Sequence, residues 1–289
     1  MEKDIDSGDV LFQEEKYKIM TLIDYGSFGD VYKVQSQSDL KSYAMKRIVF
    51  RGHEKDDPYI MSEIWCLTHL RHKNIIQLKD IILWDKRVDI IMEYAEKQNL
   101  EKLCREAGAL SLTYILDIYS QIIDGMAYCH FRGVAHRDLT PGNILLTRAN
   151  VVKIADFELA FRCCSEDGSE EIPCTDFLGN TSYLAPEVLS RIPFLARLAD
   201  IWSMGIILCF IVSQDIPYKG QEFQVLKAQM EETWRGFVKG RTDRLEQFNM
   251  VQKLLEKSLV IDPNSRATID ELSENVKHSN YSIHHIKLL

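Results

Sequence analysis

The chain has 289 residues and a net charge of -8, from 43 acidic and 35 basic side chains. Hydrophobic residues make up 46% and charged residues 27%, ordinary values for a globular protein with a sizeable core. That length suits one large domain or two lobes sharing a cleft, and the acidic balance speaks against a nucleic-acid binder, which wants a basic surface.

In chain order, the first ten residues, MEKDIDSGDV, lack the basic and apolar regions of a signal peptide. From Lys16 to Glu93 the pattern is of short β-branched and aromatic runs. YKIMTLI (17–23), DVYKVQSQ (30–37), SYAMKRIVF (42–50), IIQLKDIILW (75–84) and VDIIMEY (88–94) each predict a strand. One helix interrupts them, because Ile60, Ile64, Leu67 and Leu70 recur at helical spacing. The polar stretch YAEKQN at 94–99 marks a join. Beyond it the helical pattern dominates, in 112–130, 199–212 and 248–259. The longest apolar run, Ile206 to Val212, is far short of the roughly 20 residues a membrane span needs. Seven cysteines, without framework spacing, read as reduced thiols in an intracellular protein, cytoplasmic or nuclear. The sequence contains no internal repeat.

Several local patterns carry chemistry. DYGSFGDV at 24–31 sits between two strand patterns. Its glycines suit either a plain hairpin or a turn whose backbone N–H groups approach phosphates. Lys46 ends an apolar strand pattern, and a buried lysine there needs an acidic partner or a ligand phosphate. Glu63, on the one helix of this half, is a candidate partner. VAHRDLTPGNILL at 134–146 packs Arg137, Asp138 and Asn143 together, and IADFELA places Asp156 after the strand-like 151–155. A lone Asp after a strand is usually a turn former. Two acids and an amide on loops between apolar strands instead suit Mg2+, which favours hard oxygen ligands and substrate phosphates.

In their order and spacing these pieces resemble the eukaryotic protein kinases, over roughly residues 16–275. The resemblance implies an α+β bilobal fold with a catalytic domain over 17–275. The β-rich lobe would span about 17–94 and the helical lobe about 95–275, with short flanks at 1–16 and 276–289. It implies ATP and Mg2+ as cofactors, with Ile23, Gly26, Gly29 and Val31 in the loop and strands covering the nucleotide. Ala44 and Lys46 would follow, Lys46 on the α- and β-phosphates and paired with Glu63. Met92 would be the gatekeeper, and Glu93 to Ala95 the hinge. Asp138 would be the catalytic base, with Asn143 and Asp156 as metal ligands. Glu187 with Arg266, and Asp200 beneath the catalytic loop, would be structural; His136 would be a packed residue and not a base. LTP at 139–141 and SYLAPE at 182–187 look like the serine/threonine branch, implying a protein substrate with a Ser or Thr hydroxyl. An upstream activating kinase or a regulatory subunit would be further partners, with neither nucleic acid nor membrane.

Three positions depart from the family pattern: Asp24 replaces its first loop glycine, Thr140 a phosphate-contacting lysine and Glu158 the glycine of Asp-Phe-Gly. Glu158 would restrict switching or crowd Asp156 with like charge. Lys46, Asp138, Asn143 and Asp156 all remain, so the expectation is an active enzyme, the alternative being a catalytically impaired kinase-fold scaffold or binding module. Between Asp156 and Glu187, Ser165, Ser169 and Thr175 are candidate phosphosites. Asp176 either substitutes incompletely for an activating phosphate against Arg137 or belongs to a solvated acidic loop. Cys163, Cys164 and Cys174 lack zinc-site spacing, His284 and His285 fall in a short tail, and Trp202 belongs to a core helix.

Overall fold

The computed structural model describes residues 16–26, 29–50, 57–97, 99–165, 170–242 and 248–276. Five strands form an antiparallel sheet in the order β1-β2-β3-β5-β4. They are β1 (Tyr17–Tyr25), β2 (Asp30–Ser36), β3 (Ser42–Val49), β4 (Leu78–Leu83) and β5 (Arg87–Glu93). Alternation along each strand splits the apolar residues between two faces. Ile48, Val88 and Ile90 pack with Ile60 and Leu67 of α1 (Pro58–His69), whereas Met45 and Ile91 pack with Tyr17, Val34 and Ile82 on the other face. Helix α1 starts where it does because Asp57 caps it, accepting from the N–H of Tyr59 at 2.8 Å, with Pro58 in the first turn.

The fourth strand is shorter than its sequence pattern. Ile75 and Ile76 bond instead across to Ile154: the Ile76 N–H donates to the Ile154 carbonyl at 2.9 Å, and the Ile154 N–H to the Asn74 carbonyl at 2.8 Å. This apolar pair therefore ties the small lobe to the large one.

The large lobe runs α2 (Leu100–Ala107), α3 (Leu112–Phe131), β6 (Val134–Ala135), β7 (Ile144–Leu146), β8 (Val152–Ile154) and β9 (Phe161–Arg162). It continues through α4 (Pro186–Leu189), α5 (Ala196–Ser213), α6 (Glu222–Met230), α7 (Trp234–Thr242) and α8 (Phe248–Ser258). Residues 199–211 of α5 are buried without a break. By length and composition α5 could cross a bilayer, but 78% of it is buried inside the protein, which makes it the lobe's core helix. Its close packing requires Gly205, where a Cβ would fall 2.7 Å from a methyl of Leu259. Trp202 is fully buried on this helix and stacks near Tyr218, as its sequence context predicts. The fold is thus bilobal α+β. The paired histidines 284 and 285 and Ser169 lie outside the described residues.

Candidate active site

The β7–β8 hairpin, the β6–β9 pair and the edge of the sheet line one cleft. Strands β2 and β3 place Val31 opposite Lys46, and β3 and β5 place Ala44 opposite Met92. Met92 is buried with the α1-facing cluster, while Ile23 on β1 is exposed. Leu145 of β7 and Ala155 pack against that same small-lobe cluster, so large-lobe residues floor the sheet. The β1–β2 connection is a tight reversal: the Gly26 N–H donates to the Gly29 carbonyl at 3.0 Å. A Cβ on Gly29 would stand 2.4 Å from the Arg47 carbonyl, so only glycine fits there. Asp24, the departure at the first glycine position, turns back on its own chain and accepts from the Tyr25 N–H at 2.8 Å.

Lys46 is the centre of the small-lobe chemistry. Its Nζ donates to Glu63 Oε2 at 2.7 Å, to Asp156 Oδ1 at 2.9 Å and to Glu158 Oε2 at 2.9 Å. The partner expected for a buried lysine is therefore Glu63, brought in by α1. Burial alone would lower the lysine's pKa, but Glu63, Asp156 and Glu158 outweigh it and hold the ammonium above the ordinary lysine range. Burial pushes Glu158 up to about 7, with Lys46 pulling down and Asp156 adding to the rise. The 157–160 segment that carries Glu158 is fixed from α1: Ser62 donates to the carbonyls of Phe157 at 3.2 Å and Ala160 at 2.9 Å.

Asp138 lies between β6 and β7. Asn143 donates its amide both to the Asp138 carbonyl at 2.8 Å and to Asp138 Oδ2 at 3.1 Å. The Asn180 N–H donates to Asp138 Oδ1 at 3.3 Å. With its NH2 spent on Asp138, Asn143 has its side-chain oxygen left, a hard donor of the kind Mg2+ takes, as is the Asp156 carboxylate. The acids whose oxygens come within 4.8 Å of one another are Glu63, Asp156 and Glu158. Below, Asp200 accepts from the N–H groups of His136 and Arg137, each at 2.8 Å, and from His130 Nε2 at 2.9 Å. This buried carboxylate holds the turn in which Arg137 has a left-handed φ of 66°; Asp156 has a φ of 68°. Glu158 is not among the left-handed residues, so its backbone does not demand the family's glycine.

His136 is fully buried, with its ring centroid 4.7 Å from that of Phe157 in a tilted pair, and is bonded to the Ala155 carbonyl at 3.0 Å, a packing residue as expected. Arg137 donates to the Leu159 carbonyl at 2.6 Å and to Cys174 Sγ at 3.0 Å, and stands 3.6 Å from an Asp176 oxygen. Glu93, expected at the hinge, accepts from Lys153 Nζ at 2.8 Å and from the Gln77 N–H at 2.9 Å, contacts that sequence patterns do not reveal. Ala95 is buried just beyond it. Glu187 and Arg266 form a bidentate pair at 2.7 and 2.9 Å. Every cysteine is a free thiol. Sequence reasoning missed the Lys46 contact of Glu158, which it reads as restricting switching or crowding Asp156.

Similarity to known proteins points the same way. The family described as "Protein kinase domain" matches residues 17–278. CBL-interacting protein kinase 15 of Oryza sativa subsp. japonica is 30% identical over 269 residues, covering 90% of this chain and 59% of that protein. CBL-interacting serine/threonine-protein kinases 18 and 13 of Arabidopsis thaliana are each 31% identical, over 90% and 95% of this chain and 49% and 54% of their own lengths. The chain thus spans about half the length of these curated relatives.

Proposed function

The chain belongs to the eukaryotic protein kinase family, on its serine/threonine branch, and from that premise we propose that it transfers the γ-phosphoryl group of ATP to a serine or threonine hydroxyl of a protein. The observation that carries this reading is the joining of Lys46, Glu63 and Asp156 across both lobes, in the cleft that also holds the Asp138–Asn143 pair.

The roles follow from electrostatics and position. Phosphoryl transfer asks little covalent work of the protein and much positioning of charge. Adenine lies between β1–β2 and the floor, bounded by Ile23, Val31, Ala44, Met92 and the backbone of Glu93 to Ala95. Gly26 and Gly29 let the β1–β2 turn approach the phosphates. Lys46, oriented by Glu63, binds the α- and β-phosphates. Asp138 faces the substrate hydroxyl within hydrogen-bond reach and takes its proton, while Asn143 and the Asn180 N–H fix both carboxylate oxygens. Mg2+ held by Asn143 and Asp156 would supply positive charge against the transferring group.

The catalytic domain is taken as 17–275. Free thiols fit an intracellular setting, cytoplasmic or nuclear. The plant relatives are named for a protein partner, and a regulatory partner or an upstream activating kinase for this chain belongs to the same proposal. The test is phosphorylation of a basic protein substrate with Mg2+ and ATP, followed by phosphoamino-acid analysis. Phosphoserine or phosphothreonine is expected, and Asp138→Asn should lower the rate by about 10^2- to 10^4-fold. Transfer that survives Asp138→Asn undiminished would remove Asp138 from its role.

A further inference from the structure

We infer that Glu158 sets the affinity for nucleotide, because its carboxylate occupies Lys46 in competition with the nucleotide's phosphates. The inference rests on the reading of the cleft as a nucleotide site and adds to it a residue that family resemblance does not supply, since the family has glycine there.

An ammonium group has three N–H donors. All three of Lys46's are taken, by Glu63, Asp156 and Glu158, at 2.7, 2.9 and 2.9 Å. A phosphate oxygen can reach Lys46 only by displacing one of them. Glu63 is held by α1 and is nearly inaccessible to solvent. Asp156 follows β8 with a left-handed backbone φ of 68°. Each of the three carboxylates has Lys46 as its one side-chain partner among the described contacts. Glu63 and Asp156 stand where the family pattern keeps an acid, so Glu158, the added acid, is the group assigned to leave. The three carboxylates also outnumber the ammonium, so an arriving polyphosphate meets excess negative charge in a buried place where screening is weak. Glycine at this position would leave one donor of Lys46 free and remove that charge.

The competition has a consequence for the unaltered chain. Where the lysine is open, phosphates add affinity to adenosine; where it is held, they add none. Calorimetric titration of the whole chain with adenosine, with ATP in a chelator and with ATP plus Mg2+ is the experiment, repeated on Glu158→Gln and Glu158→Gly. In the unaltered chain metal-free ATP should bind no more tightly than adenosine. Both variants should bind metal-free ATP at least about tenfold more tightly, or about 1.4 kcal/mol, with adenosine unchanged. Gln keeps the side chain's length and oxygen, so a purely structural role for Glu158 would leave its affinity where it was.

Metal-free ATP binding the unaltered chain about tenfold more tightly than adenosine overturns the inference, with no variant required. So does equal or weaker ATP binding by folded Glu158→Gln. If adenosine binds and ATP follows neither pattern of competition, only Glu158's role falls. If no adenine compound binds any of the three chains, the nucleotide reading falls and takes this inference with it.

Discussion

Two buried charged clusters, one inside the large lobe and one across the join of the lobes, are built on opposite plans. In the large lobe Arg266 meets Glu187 through two parallel bonds at 2.7 and 2.9 Å. Its remaining donors go to backbone carbonyls of Val260, Leu198 and Ile261. One positive charge answers one negative charge, and the fork geometry fixes both planes. Where the lobes meet, one small-lobe ammonium answers three carboxylates, Glu63 from its own lobe and Asp156 and Glu158 from the large one. A balanced, fully bonded pair has one stable arrangement and suits scaffolding. An acid-rich cluster on the wall of a cleft is electrostatically incomplete and invites further cations, which is what a metal-nucleotide site requires. The contact that must stay fixed is a neutral pair, and the cluster that must exchange ligands is an unbalanced one.

Cutting the balanced pair should have the largest effect on stability. Arg266→Ala strands the Glu187 carboxylate in the interior and leaves several carbonyls unbonded. Breaking a buried pair on one side costs about 3–5 kcal/mol, so urea unfolding should show a loss of that size. A loss below about 1 kcal/mol would mean that Glu187 finds water or another partner, and the contrast between the clusters would fail on its structural side.

The unbalanced cluster makes a subtler prediction. Lys46→Met removes the only cation among the three carboxylates and should destabilise the fold as well as abolish phosphate binding. Removing one carboxylate at the same time relieves part of that. In a cycle of Lys46→Met, Glu158→Gln and the double variant, the double should be more stable than the sum of the singles by about 0.5–3 kcal/mol. Strict additivity would mean that Glu158 and Lys46 do not interact in solution.

How much of this was legible beforehand depends on what carries each contact. The five-stranded sheet and the helices α1, α3, α5 and α8 are legible in periodicity, because burial on one face writes an alternation or a 3.6-residue recurrence into the chain; α2, α4, α6 and α7 are not. Lys46 and Glu63 were readable as a pair because a buried lysine has few ways to be satisfied. The fourth strand came out short because Ile75 and Ile76, apolar enough for a strand, were recruited to β8 instead; composition does not record that choice. The Asn180 contact to Asp138 uses a peptide N–H, which every residue except proline has, so nothing marks it. Glu158 stood out as a departure, but its partner depended on how Ser62 anchors residues 157–160 from a helix about a hundred positions earlier. Lys153 and Glu93 are 60 positions apart and charged, and charged residues are ordinarily solvated.

Asp176 should show the smallest effect of all, and it tests where the acid-rich plan stops. Its carboxylate lies 3.6 Å from Arg137 Nη1 with the side chain 63% exposed. Exposed pairs of this kind contribute little, because water competes for both partners. Arg137 is also held independently, by the Leu159 carbonyl, by Cys174 Sγ and by the Phe161 ring 5.5 Å beneath its guanidinium. Asp176→Asn should therefore lower the phosphorylation rate by no more than about fivefold, measured on phosphatase-treated protein so that Ser165 and Thr175 contribute equally in both chains. An unchanged rate would leave Asp176 as one residue of a solvated loop. A loss of a hundredfold would show that Arg137 depends on this carboxylate despite its other contacts, and that the activation segment has its own charge requirement beside the one at Lys46.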